Sequence, residues 1–396
     1  MAKEPEIPPN SRLSFDDLDA PCGLTLGDDV VVECRRLRVG RDVIIGGETP
    51  ESFRVAGGVR IRAEELVLGD GVRIDRGTHI RGGVIHLGEQ VRIRDGVTIA
   101  VQERLVVGAG GTVGHGSEIV GLDVAIGRRL WMLSDVKIGG GSAGDRPSRL
   151  RIGDFGHLGM HTFINTARPV TIGDEVGLGT RTALYTHGAW PSVLRGGPAK
   201  FASVSIGDRS WLPGASVNPG VNIGADVVVA VGSVVARDLP SGCLAGGVPA
   251  KVLREGVFPR VLSPEERETA IWEILETFAE LAGDRHEVSV DVENRQVTLD
   301  GNTLILWRRQ IDDQSLARLP VGAGARCILL SDRFGVREVP DNTTFIDPGE
   351  LALRGRADAL ADRLVNQLRR YGIRFRYEAD GGRYGPWPPD PMRLTQ

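Results

Sequence analysis

The chain has 396 residues, enough for two or three domains with their own cores. Its 52 acidic and 48 basic residues nearly cancel and no long basic run stands out, which argues against nucleic acid or an anionic membrane as principal partner. Aromatics are 5% of the residues while glycines number 54, a balance that favours stacked turns and strands over helical packing.

The N-terminal stretch "MAKEPEIPPN" carries no apolar run of the secretion-signal kind, and residues 1–24 read as a tail. Cys22, Cys34, Cys243 and Cys327 form no CxxC pair and no metal spacing, so they read as free thiols of a reducing compartment. The most apolar stretch, "VVVAVGSVVA" (227–236), is too short to span a bilayer. A soluble, cytoplasmic protein is expected.

From Leu68 onward aliphatic residues fall six apart in sets of three: Leu68, Ile74, Ile80; then Leu87, Ile93, Ile99; then Val107, Val113, Ile119; then Ile126, Met132, Ile138. The count resumes twice after spacers, through Ile152, Leu158, Ile164 and Ile172, Leu178, Leu184, then through Ile206, Leu212, Val217 and Ile223, Val229, Val235. Val217 alone is one residue early. Six is the period of a short strand plus a tight turn, with Gly, Asn and Asp at the bends. Three such units close a triangular coil, and coils stack as parallel strands about 4.8 Å apart. Eight coils are counted, and residues 25–67 carry looser fragments such as "LTLGDDV". The count predicts a mainly β fold, a parallel β-solenoid over 25–255, and leaves its hand open.

Two insertions interrupt the count. "GGGSAGDRPSRLR" (139–151) reads as a surface loop. "YTHGAWPSVLRGGPAKFASVS" (185–205) leaves the coil after an aliphatic corner and re-enters at Ile206, carrying His187. An imidazole with an ordinary pKa near 6.5 can accept a hydroxyl proton at neutral pH and hand it on, the service that acyl transfer to a hydroxyl requires. No nucleophile elbow or Cys–His pair accompanies it, which favours direct transfer over an acyl-enzyme. Asp174, Glu175, Asp208 or a backbone carbonyl are open candidates for orienting the ring, and Trp190 and Arg195 are candidates for acceptor or interface contacts.

The stretch 204–254 contains IG-x-x-x-W, N-P-G-V-x-IG, GSVV-x-x-D-x-P and AGG-x-P-A-K-V-x-R. Together these elements resemble the hexapeptide-repeat acyltransferases, most of all the branch of galactoside, maltose and polysaccharide O-acetyltransferases. The resemblance implies a left-handed β-helix, a homotrimer, and acetyl-CoA as donor in a groove between subunits, with no metal. It implies the catalytic role for His187 and makes Asn165 the nearest match to an asparagine that touches the acceptor. It further implies that Trp211 lies against the pantetheine arm and that Gly232 and Ser233 offer a strand edge to its amides. Lys251 and Arg254 match positions facing the nucleotide phosphates. Ala236 departs from the family's usual threonine after GSVV.

After Pro259 the repeat stops. Ser263, Pro264 and Glu266 make a capping-box start for a helix that closes at Gly283, with Ile271, Ile274, Leu275, Phe278 and Leu281 as its apolar face. Alternating strands follow, with turns at Glu293–Asn294 and Asp300–Gly301. "ARCILLS" reads as a buried strand, "ADALADRLVNQLRRYG" as a second helix and "IRFRYE" as a last strand, giving a smaller α+β domain over 256–380 before a Pro-rich tail, 381–396. Covering the open end of the solenoid is one role for this domain, and binding an acceptor or partner is another.

Acetyl transfer to a hydroxyl of a carbohydrate or glycosylated small molecule is the expected function. A zinc protein like the γ-class carbonic anhydrases, using His157, His161 and His187, is the alternative, although His157 directly precedes Leu158 and should point outward. A catalytically inactive scaffold is a further alternative, separated by whether coenzyme A binds. A sugar nucleotidyltransferase is disfavoured, since no Gly-rich phosphate loop precedes the repeat.

Overall fold

The computed structural model describes residues 7–19, 23–47, 57–141, 146–319, 325–336, 340–356 and 358–375, with 377, 378, 383 and 384. Cys22 and nearly all of the Pro-rich tail lie outside the described residues. The chain divides into two compact units, Met1–Arg260 and Val261–Gln396.

The first unit is a parallel β-solenoid with three faces. One face follows an eleven-strand path from Arg12–Ser14 to Val234–Val235. A second is a twelve-stranded sheet from Leu24–Leu26 to Ala250–Arg254, parallel until its last, antiparallel strand. The third runs through Arg149–Ile152, Val170–Ile172, Val204–Ile206 and Asn222–Ile223. All the counted aliphatic residues, from Leu68 to Val235, are buried in one continuous core. A second inward position, two residues before the counted one, completes each face (Val72, Val91, Val97, Val136 and Val176), because strand side chains alternate. Stacking eleven strands gives a prism roughly 48 Å long.

The solenoid begins earlier than the repeat count predicts. Arg12–Ser14 and Asp17–Asp19 pair with Val30–Val39, so part of the stretch read as a tail already belongs to the first coil. The early coils escaped the six-residue count because their strands are long and turn a corner without a break. Val30–Val39, Val59–Leu68 and Thr98–Val107 each run ten residues, and Thr98–Val107 absorbs the corner as a register shift between Val101 and Arg104. "GGGSAGDRPSRLR" is likewise not loop throughout: Arg149–Ile152 is a strand paired with Asp123–Ile126.

The recurring Ile-Gly-Asp motif has a structural cause. The Asp154 carboxylate accepts from the Arg128 backbone N–H, Asp174 from Asp154, and Asp208 from Asp174, at 2.7–2.8 Å. Each carboxylate therefore leans onto the coil before it, where a Cβ at Gly127, Gly153 or Gly173 would collide with it. Asp174 and Asp208 are thereby engaged in coil stacking. Cys34, Cys243 and Cys327 are unbridged and buried, and burial pushes the Cys34 thiol up to about 11.

In the second unit the helix Pro264–Ala282 starts with the Ser263–Glu266 capping box. Its buried face is Ile271, Trp272, Ile274, Leu275, Phe278, Ala279 and Ala282; Leu281 is half exposed, since ten residues from Ile271 carry it off the helical stripe. The sheet order is Val288–Asp291, Gln296–Leu299, Thr303–Trp307, Arg326–Leu330, Thr343–Asp347, Ala352–Gly355, with a parallel centre. Helix Ala359–Arg370 packs into the same core through Leu364, Val365 and Leu368. Among the described residues of "IRFRYE", Tyr377–Glu378 is strand and Phe375 turns into the core.

One buried charge cluster generates a pH prediction. Asp123 meets Arg104, Arg149 and Arg151 at 3.2, 3.0 and 2.5 Å. Burial pushes its carboxyl up, but hydrogen bonds and charge from Arg151 and Arg104 outweigh this and hold it below the usual 3.8. A depressed folded-state value contributes stability that is present above pH 3.8 and lost as the pH falls through the folded value. Asp123→Asn is expected to cost about 1–3 kcal/mol at pH 7, discounted for the half-exposed arginines. In urea melts the gap between variant and parent should close below pH 3.8; a gap constant with pH would contradict the assignment.

Candidate active site

The excursion at 185–205 folds into a hairpin. His187–Ala189 pairs antiparallel with Ala199–Phe201, and a short 3-10 turn, Val193–Arg195, forms the tip. Register places His187 opposite Phe201, and their rings stack at 5.5 Å with 12° between planes. The Arg168 guanidinium sits 5.0 Å from the Phe201 ring centre.

Asn165 holds the imidazole. It ends the strand Phe163–Asn165 and is 2% exposed. Its Oδ1 accepts from the Thr186 hydroxyl at 2.5 Å and the Ala167 backbone N–H at 3.3 Å, and lies 3.0 Å from His187 Nδ1. Thr186 in turn accepts from the Arg168 N–H at 3.1 Å, which commits its hydroxyl hydrogen to Asn165. An amide oxygen has no proton to give, so Nδ1 carries the hydrogen and the Nε2 lone pair is left to accept one. Asn165 is thus buried, with its Oδ1 turned to the histidine. Thr186, Phe201 and Arg168 were missed by sequence reasoning. Thr186 sits beside the histidine, but only the hairpin register links Phe201 to it.

The remaining expected residues lie on other parts of the solenoid. Trp211 is 40% exposed in the ladder Trp131, His157, Gly177, Trp211. Its indole folds over Gly177, where a Cβ would collide with the ring. His157 does face outward, its ring 5.0 Å from Trp131 and 6.2 Å from Trp211. Gly232 has φ +74° and open space where a side chain would stand. The Ser233 hydroxyl is buried, donating to the Ala230 carbonyl at 2.7 Å and accepting from the Gly247 N–H at 3.1 Å, so it offers a ligand backbone but no side chain. Lys251 and Arg254 are exposed on the last strand and make no ion pair among the described residues. Trp190 is 96% exposed and Arg195 lies at the hairpin tip.

His161 occupies an exposed turn at φ +58°, and among the described residues no three His, Cys, Asp or Glu side chains converge as a metal site. No described helix is long and apolar enough to cross a membrane.

Stacked six-residue turns with a histidine-bearing hairpin define a hexapeptide-repeat solenoid. No family model matches the chain. It is 40% identical over 114 residues to a putative acetyltransferase of Saccharomyces cerevisiae, covering 28% of this chain and 58% of that one. It is 29% identical over 133 residues to the galactoside O-acetyltransferase of Escherichia coli, covering 33% and 63%. A putative acetyltransferase of Schizosaccharomyces pombe is 32% identical over 150 residues, covering 35% and 72%. The chain thus spans about three fifths of the length of the first curated relatives it matches. It belongs to the hexapeptide-repeat acetyltransferase family.

The hydrogen-bond network predicts one tautomer. In ¹⁵N-resolved spectra of the neutral ring, His187 should carry its proton on Nδ1, and Asn165→Ala should erase that preference. A proton on Nε2 in the parent protein would contradict the network.

Proposed function

We propose that this chain transfers an acetyl group from acetyl-CoA to a hydroxyl of a saccharide, with His187 as general base. Membership of the family supports acetyl transfer, and the similarity to a galactoside O-acetyltransferase supports a sugar acceptor. The observation that carries the reading is the Asn165–His187 hydrogen bond, which leaves Nε2 as the basic atom at a hairpin base.

In the proposed reaction the acceptor hydroxyl donates its hydrogen to Nε2 as its oxygen attacks the thioester carbonyl. A new C–O bond forms and the C–S bond breaks. The imidazolium then returns the proton to the departing thiolate, so His187 ends as it began. Asn165 keeps the ring fixed through the cycle, and stacking on Phe201 limits its rotation. Donor acetyl-CoA supplies the activated acyl carbon. Trp211 offers an exposed apolar surface to its pantetheine arm, and the open edge at Gly232 offers backbone groups for strand addition. Lys251 and Arg254, exposed and without an ion pair among the described residues, suit the nucleotide phosphates. A homotrimer with its site between subunits, in the cytoplasm, belongs to the same proposal.

His187→Ala should lower kcat for coenzyme A release by roughly 10²- to 10⁴-fold while coenzyme A binding, circular dichroism and oligomer size stay unchanged. Activity equal to the parent's would end the proposal. Lys251→Ala with Arg254→Ala should weaken coenzyme A about tenfold or more and leave desphospho-pantetheine thioesters unaffected.

A further inference from the structure

The first coils carry a concentration of basic side chains that the chemistry at His187 does not use. Arg60 and Arg62 stand two residues apart on Val59–Leu68, and His79 and Arg81 two residues apart on the adjacent strand, His79–Leu87. Register sets Arg60 opposite His79 and Arg62 opposite Arg81. All four alternate with the buried Val59, Ile61 and Ile80, so they share the outward face. Their Cα atoms outline a rectangle of about 4.8 by 6.6 Å.

These four side chains line a cavity of about 460 Å³, which extends over Thr98 and Ala100 on the next rung. Carboxylates answer only two of the three guanidiniums. Arg60 pairs with Asp29 at 2.6 Å, and Arg62 places Nε and Nη2 on Glu33 Oε2 at 3.0 and 2.6 Å. Arg81 is exposed and has no ion pair and no side-chain hydrogen bond among the described residues. Its neighbour in register is the like-charged Arg62, an unfavourable opposition across two strands. On its other side stands Ala100, which offers neither charge nor bulk. This positive excess is local, since the chain as a whole has a formal charge of −4.

An anion seated in the cavity offsets that opposition. Donors reach it from two strands and from both ends of the rectangle, which suits the three oxygens of a tetrahedral group better than the two of a planar carboxylate. The volume is that of a small-molecule site, and inorganic phosphate would fill a minor part of it. We propose that this cavity binds an organic phosphate monoester. Arg62 and Arg81 hold the phosphate, with Arg60 and His79 beside it, and the organic group lies over Thr98 and Ala100. His79 and Arg81 are four rungs from Phe163–Asn165, roughly 19 Å along the solenoid. The ligand is therefore neither acceptor nor thioester at His187, and the site stands independently of the acetyl-transfer reading.

The test is calorimetric titration of the full chain with adenosine monophosphate, glycerol phosphate and inorganic phosphate, beside adenosine and citrate. The expected result is binding of at least one monoester with Kd below about 1 mM, tighter than inorganic phosphate, and no binding of adenosine. Arg81→Ala should weaken the monoester about tenfold or more, while Lys251→Ala with Arg254→Ala leaves it unchanged. Without ligand, Arg81→Ala should unfold at the parent's temperature or higher, because it removes the opposition to Arg62. Adding the monoester should raise the unfolding temperature of the parent but not of this variant. The inference is overturned if neither monoester binds, if adenosine or citrate binds as tightly, or if the affinity is indifferent to Arg81. A changed oligomer size in Arg81→Ala would also overturn it, marking the face as a contact between copies of the chain.

Discussion

Everything in the first unit depends on coil stacking in register. Each coil contributes aliphatic side chains from each face to a shared core, and its backbone strands bond to the coils above and below. A coil cannot gain or lose a residue without displacing an inward side chain, so length changes must leave the prism as loops. That constraint explains why both insertions depart after a buried corner and return in phase, at Arg149–Ile152 and at Val204–Ile206. The Ile-Gly-Asp ladder adds polar fastening to the same register, each aspartate bonding the coil before it.

The same constraint builds the site. Because strands stack without offset, Asn165 at the end of one strand stands one rung from Leu184, where the hairpin leaves the coil. Three residues on, His187 folds back onto the Asn165 amide. The imidazole is therefore held between a rigid rung below and Phe201 across the hairpin, with Thr186 and Arg168 completing the polar shell. A loop residue gains its orientation from the stacked coils beneath it.

Much of this was legible in the sequence because the repeat is a one-dimensional signal. The buried columns from Leu68 onward, the hairpin excursion and His187 all follow from counting. Where the coils turn corners inside long strands, as at Val30–Val39, the count loses phase and the first coils drop from view. Asn165 could be named but not assigned, since burial and the amide's direction are set by the adjacent rung. Phe201 was invisible because its partnership with His187 is a fact of hairpin register, fourteen residues along the chain. In the second unit, Thr343–Asp347 and Ala352–Gly355 went unread, their alternation broken by turns, and Leu281 was assigned to the core by hydrophobicity alone.

The account joins three surfaces of one solenoid: an imidazole with its Nε2 open, an indole laid over a glycine, and two exposed cations on the closing strand. Their convergence on one donor is its central claim. A crystal structure of the protein with coenzyme A tests it most directly, through the distance between the ligand sulfur and His187 Nε2. The account predicts hydrogen-bond reach or a single bridging water, with the pantetheine arm along Trp211. A sulfur placed elsewhere, with the ring still fixed on Asn165, would contradict it.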